Sequence, residues 1–210
     1  MAEDQGLRYH SWTRRAARAC FRPFIGMRLT PNHITALRWA AATAACGFFF
    51  KGDMVSGGLL WVGSAFLDRC DGEFARMTGL SSRVGYLFDL IGDIVFNGIV
   101  FAALGLGISI SAALGGVLGI PGDIWLIIGG LAGGGVFLAG VLAEINEQGM
   151  KNDEKTFNGR WGFDFDDFAY LIGIIPCLGG APYLLIGASI GGPLAAVVIG
   201  AKLARKRMAC

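Results

Sequence analysis

Four aspartates, Asp68, Asp71, Asp89 and Asp93, fall within the single stretch DRCDGEFARMTGLSSRVGYLFDLIGD, together with Glu73, Arg69, Arg76 and Arg83. An α-helix turns by about 100° per residue. On that spacing Asp68 and Asp71 share a face with Gly72, Ala75 and Arg76. Ser82, Gly85, Asp89 and Asp93 form a second stripe, its last three members stepping by four. Gly79 lies in a short connection between the two, so the halves read as an antiparallel helical hairpin whose carboxylates meet in one pocket. Four carboxylates in a low-dielectric pocket cannot all stay ionised unaided. Hard divalent cations resolve that conflict, and an oxygen-only donor set suits Mg²⁺ or Mn²⁺. Two ions shared among the acids would clamp the attacking and leaving oxygens of a phosphoryl displacement. Arg76 adds a fork matched to phosphate, while Gly72 and Ala75 leave room for a ligand against the backbone. The residues thus predict a metal-dependent enzyme acting on a phosphate ester.

The elements that must carry these side chains are membrane helices. The chain has 210 residues, 54% of them hydrophobic, with mean hydropathy +0.55 and only 16% charged. Soluble domains carry roughly 25% charged residues. Apolar segments near 32–50, 55–77, 82–109, 121–146, 166–180 and 182–203 predict six transmembrane helices, the fifth being the shortest. The 34 glycines suit close helix packing in a bilayer. Basic residues gather in alternate connections, which predicts both termini and the acidic pocket on the cytoplasmic side. In a bacterium the host bilayer would be the inner, or plasma, membrane. Residues 9–27 interleave aromatics with arginines at helical spacing and read as an amphipathic helix on the membrane surface, against a disordered basic arm. The expected division is 1–28, arm and juxtamembrane helix, then 29–210, the six-helix domain. Pro31 fits a first helical turn, with Thr30 or Asn32 as cap. Five cysteines without metal-type spacing read as free thiols. The net charge of +2 excludes nucleic acid as an expected partner.

The pattern D-x-x-D-G-x-x-A-R, eight residues, then G-x-x-x-D-x-x-x-D resembles the signature of the CDP-alcohol phosphatidyltransferase family. All eight fixed positions match: Asp68, Asp71, Gly72, Ala75, Arg76, Gly85, Asp89 and Asp93. The LTPN segment before the first span is similar to the family too. The resemblance implies that an acceptor hydroxyl attacks a CDP-linked donor and releases CMP. It implies metal binding by Asp68, Asp71 and Asp89, with Asp93 a metal neighbour and the general base. It further implies that Gly72, Ala75, Arg76, Ser82, Gly85 and Asn32 surround the donor's cytidine diphosphate, and that the enzyme is a homodimer.

The donor expected is CDP-diacylglycerol, with a small polar alcohol as acceptor in phospholipid biosynthesis, among membrane lipids. A soluble donor such as CDP-inositol is the alternative. Lys151, Lys155 and Arg160 would suit an anionic acceptor, or mark ordinary membrane topology. Asp164, Asp166 and Asp167 would bind acceptor hydroxyls or an amine, pair with Arg160, or favour a helix N-terminus. Glu73 is expected at the lipid interface or paired with Arg69 or Arg76, and Asn97 in an interhelical hydrogen bond. Two readings of other classes compete: a divalent-cation transporter, and a scaffold with a decayed site. The clustering of acids toward one side opposes the first, and the intact motif opposes the second.

Overall fold

The structure, a computed structural model, describes residues 12–80, 83–112, 117–148 and 165–208. These residues form seven α-helices: α1 Trp12–Phe21, α2 Pro31–Phe50, α3 Met54–Thr78, α4 Arg83–Ala112, α5 Gly122–Gln148, α6 Ala169–Cys177 and α7 Ala181–Met208. No strand occurs among them, only an isolated bridge between Val117 and Ile120. The all-helical expectation therefore stands.

Among the described residues, three helices are long and apolar enough to cross a membrane: Arg83–Ala112, Gly122–Asn146 and Ala181–Arg205. Helices α2 and α3, at 20 and 25 residues, have the length, but the polar residues of the acidic stretch and its neighbours lower their hydropathy. The fifth expected span is shorter than anticipated. A 3-10 turn at Phe165–Phe168 leads into α6, whose nine residues rise only about 14 Å, half the hydrocarbon thickness.

Local chemistry explains the boundaries. Pro31 opens α2 after the N-cap Thr30, whose backbone N–H donates to His33 Nδ1 at 3.2 Å. Asp53 caps α3 by accepting from the Ser56 amide at 3.0 Å, and that bond holds its carboxyl below the usual range. Gly79 ends α3 in the left-handed conformation, φ +68, which costs glycine nothing. Helix α4 follows, but α3 and α4 do not pack along each other as the expected hairpin would; both pack on α2 instead.

Helix α5 packs chiefly on α7 and α4, α2 on α3, and α6 on α3. The closest approaches run through glycine. A Cβ at Gly105 would lie 2.8 Å from Gly129 Cα, joining α4 to α5. Gly58 of α3 and Gly173 of α6 meet in the same way. Trp61 Nε1 then donates to the Ala169 carbonyl at 3.0 Å and ties α6 down. A core cluster of Phe49, Trp61, Phe101, Leu104, Trp125 and Leu185 fills the middle. A separate cluster of Ala17, Ile34, Cys70 and Phe74 seats α1 beside the acidic stretch.

Candidate active site

Helices α3 and α4, both packed on α2, bring the motif carboxylates together. One oxygen each from Asp68, Asp71 and Asp89 lies within 4.8 Å of the others. Asp93, one turn further along α4, joins them through a residue of α2, Arg38. Its guanidinium Nη1 reaches Asp68 Oδ1 at 2.6 Å and Asp89 Oδ1 at 2.5 Å, and its Nη2 bonds Asp93 Oδ1. The Arg38 side chain is only 6% exposed. Asp71 is held separately, accepting from Thr35 Oγ1 at 2.8 Å. The Ser64 hydroxyl donates to the Arg38 backbone carbonyl at 3.1 Å and locks α2 to α3 at this level. Arg38 and Thr35 have no place in the motif and were missed by the sequence reading. A signal for Arg38 existed: it is a charged residue well inside an apolar span, and such residues are functional by default.

One guanidinium faces four carboxylates here, so acid groups outnumber basic ones within the cluster. Its donors are all oxygen, which fits a hard divalent cation. Asp68, Asp71 and Asp89 are the residues placed to hold one.

Two cavities flank the cluster. The larger, about 380 Å³, is lined by Asn32, Thr35, Asp71, Gly72, Ala75, Arg76, Gly85, Tyr86 and Asp89 among others. Five of the six residues assigned to the donor thus line one space. The sixth, Ser82, lies outside the described residues. The second cavity, about 40 Å³, is lined by Arg38, Ser64, Asp68, Asp93 and Asn97, with Trp61 and Phe96. Asn97 therefore lies beside Asp93 at this inner chamber. Gly92, between Asp89 and Asp93, leaves space for the Trp39 indole, which stacks on Phe88 with centroids 4.7 Å apart. That contact sets α4 against α2 at the level of the carboxylates.

Glu73 points elsewhere. It is fully buried and accepts from Arg18 Nε of α1 and from Arg76 Nη2, each at 2.5 Å. Arg14 Nη1 stands 3.9 Å away. Of the alternatives for Glu73, the pair with Arg76 is present, with α1 as an added partner. Asp167 is also buried. It accepts from Thr13 Oγ1 of α1 at 3.0 Å and pairs with Arg69 at 3.5 Å. Helix α1 is therefore bolted to α3 by buried polar contacts, with Thr13 and Ala17 inward and Trp12 60% exposed. Lys151, Lys155, Arg160 and Asp164 lie outside the described residues.

Comparison with known proteins agrees with this geometry. Over 89 residues the chain is 34% identical to a protein of Rubrobacter xylanophilus named a bifunctional IPC transferase and DIPP synthase. That match covers 41% of this chain and 20% of the relative, so the chain spans only a fraction of that protein's length. The wider match is to a family: residues 28–191, from just before α2 into α7, fit CDP-alcohol phosphatidyltransferase. The chain belongs to the CDP-alcohol phosphatidyltransferase family.

Proposed function

We propose that the protein is an integral membrane transferase that moves a substituted phosphate from a CDP-linked donor to a small polar alcohol and releases CMP. The observation that carries this is the shared cavity. Asn32, Gly72, Ala75, Arg76 and Gly85 line the same space as Asp71 and Asp89, and its size lies in the range of small-molecule sites. The donor's diphosphate lies along Gly72 and Ala75, within reach of Arg76. Asp68, Asp71 and Asp89 would hold Mg²⁺ or Mn²⁺, two ions in all, which would supply positive charge to offset that of the diphosphate and of the CMP leaving group. Asp93 takes the proton of the acceptor hydroxyl as its oxygen bonds to the donor phosphorus and the bond to CMP breaks. Arg38 keeps the Asp93 carboxylate aimed at the cluster, and the hydroxyl reaches it through the inner chamber.

The donor proposed first is CDP-diacylglycerol, which suits a chain whose α4, the helix of Asp89 and Asp93, is long and apolar enough to cross a membrane. A water-soluble donor such as CDP-inositol keeps the same chemistry and is the alternative. The same reading includes a homodimer, with the site and both termini on the cytoplasmic side. Lys151, Lys155, Arg160 and Asp164 are proposed to meet the acceptor.

The test is CMP release by purified protein in lipid nanodiscs, with Mg²⁺, each donor in turn and a panel of alcohols. CMP formation with one donor and a defined set of alcohols is expected, with mass spectrometry naming the product. No CMP with either donor and any alcohol, alongside divalent-ion flux in liposomes, would favour the transporter instead.

A further inference from the structure

Among the described residues, Glu73 is the one fully buried carboxylate close to the motif that the transfer chemistry does not use. It sits two residues after Asp71, about 200° round the helix, so it points away from the metal-binding face. A buried carboxylate is costly unless its oxygens are bonded and its charge is matched. Both oxygens are bonded here, and to different parts of the molecule. Oε2 accepts from Arg18 on α1, and Oε1 accepts from Arg76. Anchoring α1 to α3 would require only the first bond.

The second bond acts on the donor cavity. Arg76 is 53% exposed and lines that cavity with Asp71 and Asp89. A Cβ at Gly72 would lie 3.4 Å from Arg76 Nη2, so the guanidinium lies across the glycine. An arginine this exposed would ordinarily sample many rotamers and lose that freedom on meeting a phosphate. The bond from Glu73 removes much of the freedom beforehand, which is preorganisation. Arg18 shares the Glu73 carboxylate with Arg76, so the carboxylate's charge is divided between the two. Arg76 therefore keeps attraction for an anion while its direction is fixed.

We propose that Glu73 is a positioning residue of the donor site, holding Arg76 across Gly72 for a nucleoside diphosphate and making the seating of α1 part of donor affinity. The inference rests on the reading of the 380 Å³ cavity as the donor site. The test is calorimetric titration of CDP, with Mg²⁺ present, into the full chain in detergent. The variants are Arg76→Gln, Glu73→Gln, Arg18→Gln and the doubles Glu73→Gln/Arg76→Gln and Arg18→Gln/Arg76→Gln. Losing a charge-assisted hydrogen bond predicts about tenfold weaker CDP binding for Arg76→Gln. Glu73→Gln should weaken it severalfold, and the double variant no further than Arg76→Gln alone. Arg18→Gln, at a partly exposed position, should show a smaller loss that disappears in its double. That pair keeps the test decisive should Glu73→Gln fail to fold. Unchanged CDP affinity in both Glu73→Gln and Arg18→Gln overturns the proposal and leaves the donor site standing. Losses that add in full to that of Arg76→Gln also overturn it. An Arg76→Gln variant that binds CDP like the wild type removes the donor-site reading itself, and the proposal with it.

Discussion

Two ionic clusters share helix α3, and they are built differently. Around Arg38 one guanidinium serves four aspartates, touching Asp68, Asp89 and Asp93 while Asp71 leans on Thr35. Around Glu73 one carboxylate accepts from Arg18 of α1 and from Arg76 of α3. The guanidinium of the first cluster is buried, whereas Arg76 of the second is half exposed. On the proposed function the aspartates would meet divalent cations and Arg76 a diphosphate. Arg76 and Asp71 line the same cavity, so both clusters would face one ligand.

The hardest way to break this contrast is to remove the lone guanidinium. Arg38→Met leaves four carboxylates with no protein cation, and breaking a buried pair from one side costs about 3–5 kcal/mol. Thermal unfolding in chelator should show that loss, and added Mg²⁺ should recover part of it by binding the folded state. Glu73→Gln should also destabilise, but with no Mg²⁺ rescue. Equal rescue of both variants would erase the distinction between the clusters.

Next in size is Asp93→Asn. A missing general base typically costs about 10²–10⁴-fold in turnover, and CMP release should fall by that order. Mn²⁺ and CDP binding should stay near wild type, because Asp93 lies outside the trio whose oxygens converge. Loss of CDP binding in this variant would remove the case for a base.

Smaller still is Gly92→Ala. The new methyl would run into the Trp39 indole, and overpacking of this kind costs about 1–3 kcal/mol. A lowered melting temperature with reduced turnover is expected, because α4 would shift relative to α2 at the level of Asp89 and Asp93. A melting temperature and turnover like wild type would show that the Trp39 contact does not set the carboxylates.

The motif was readable because helical spacing is rigid. Residues four apart on α4 must share a face, and a short connection after the left-handed Gly79 keeps that face near the end of α3. That Gly72, Ala75, Arg76 and Gly85 line one cavity was readable for the same reason, since they sit on these two consecutive helices. Arg38 was not readable from the motif, because its place beside the aspartates depends on how α2 packs, and no local spacing encodes that. Its charge within an apolar span was a signal, but without a named partner. Glu73 shows the middle case. Its pair with Arg76 follows from the i, i+3 spacing on α3, whereas its bond to Arg18 needs the docking of α1. Asp167 belongs with Arg38: its partners Arg69 and Thr13 lie about 100 and 154 residues away in sequence. The fifth span, anticipated as the shortest at 166–180, is shorter still. Hydropathy reports apolar residues and not where the helix is broken, and α6 runs only from Ala169 to Cys177.

The central claim is that the aspartate cluster, and not its neighbour, takes the metal. Mn²⁺ binding followed by electron paramagnetic resonance on the full chain in nanodiscs tests this most directly. Wild type should bind up to two ions per chain. Asp71→Asn and Asp89→Asn should each lose most of that binding, while Glu73→Gln keeps it. Mn²⁺ binding that survives both aspartate changes, or that disappears with Glu73→Gln in a folded protein, would contradict the account.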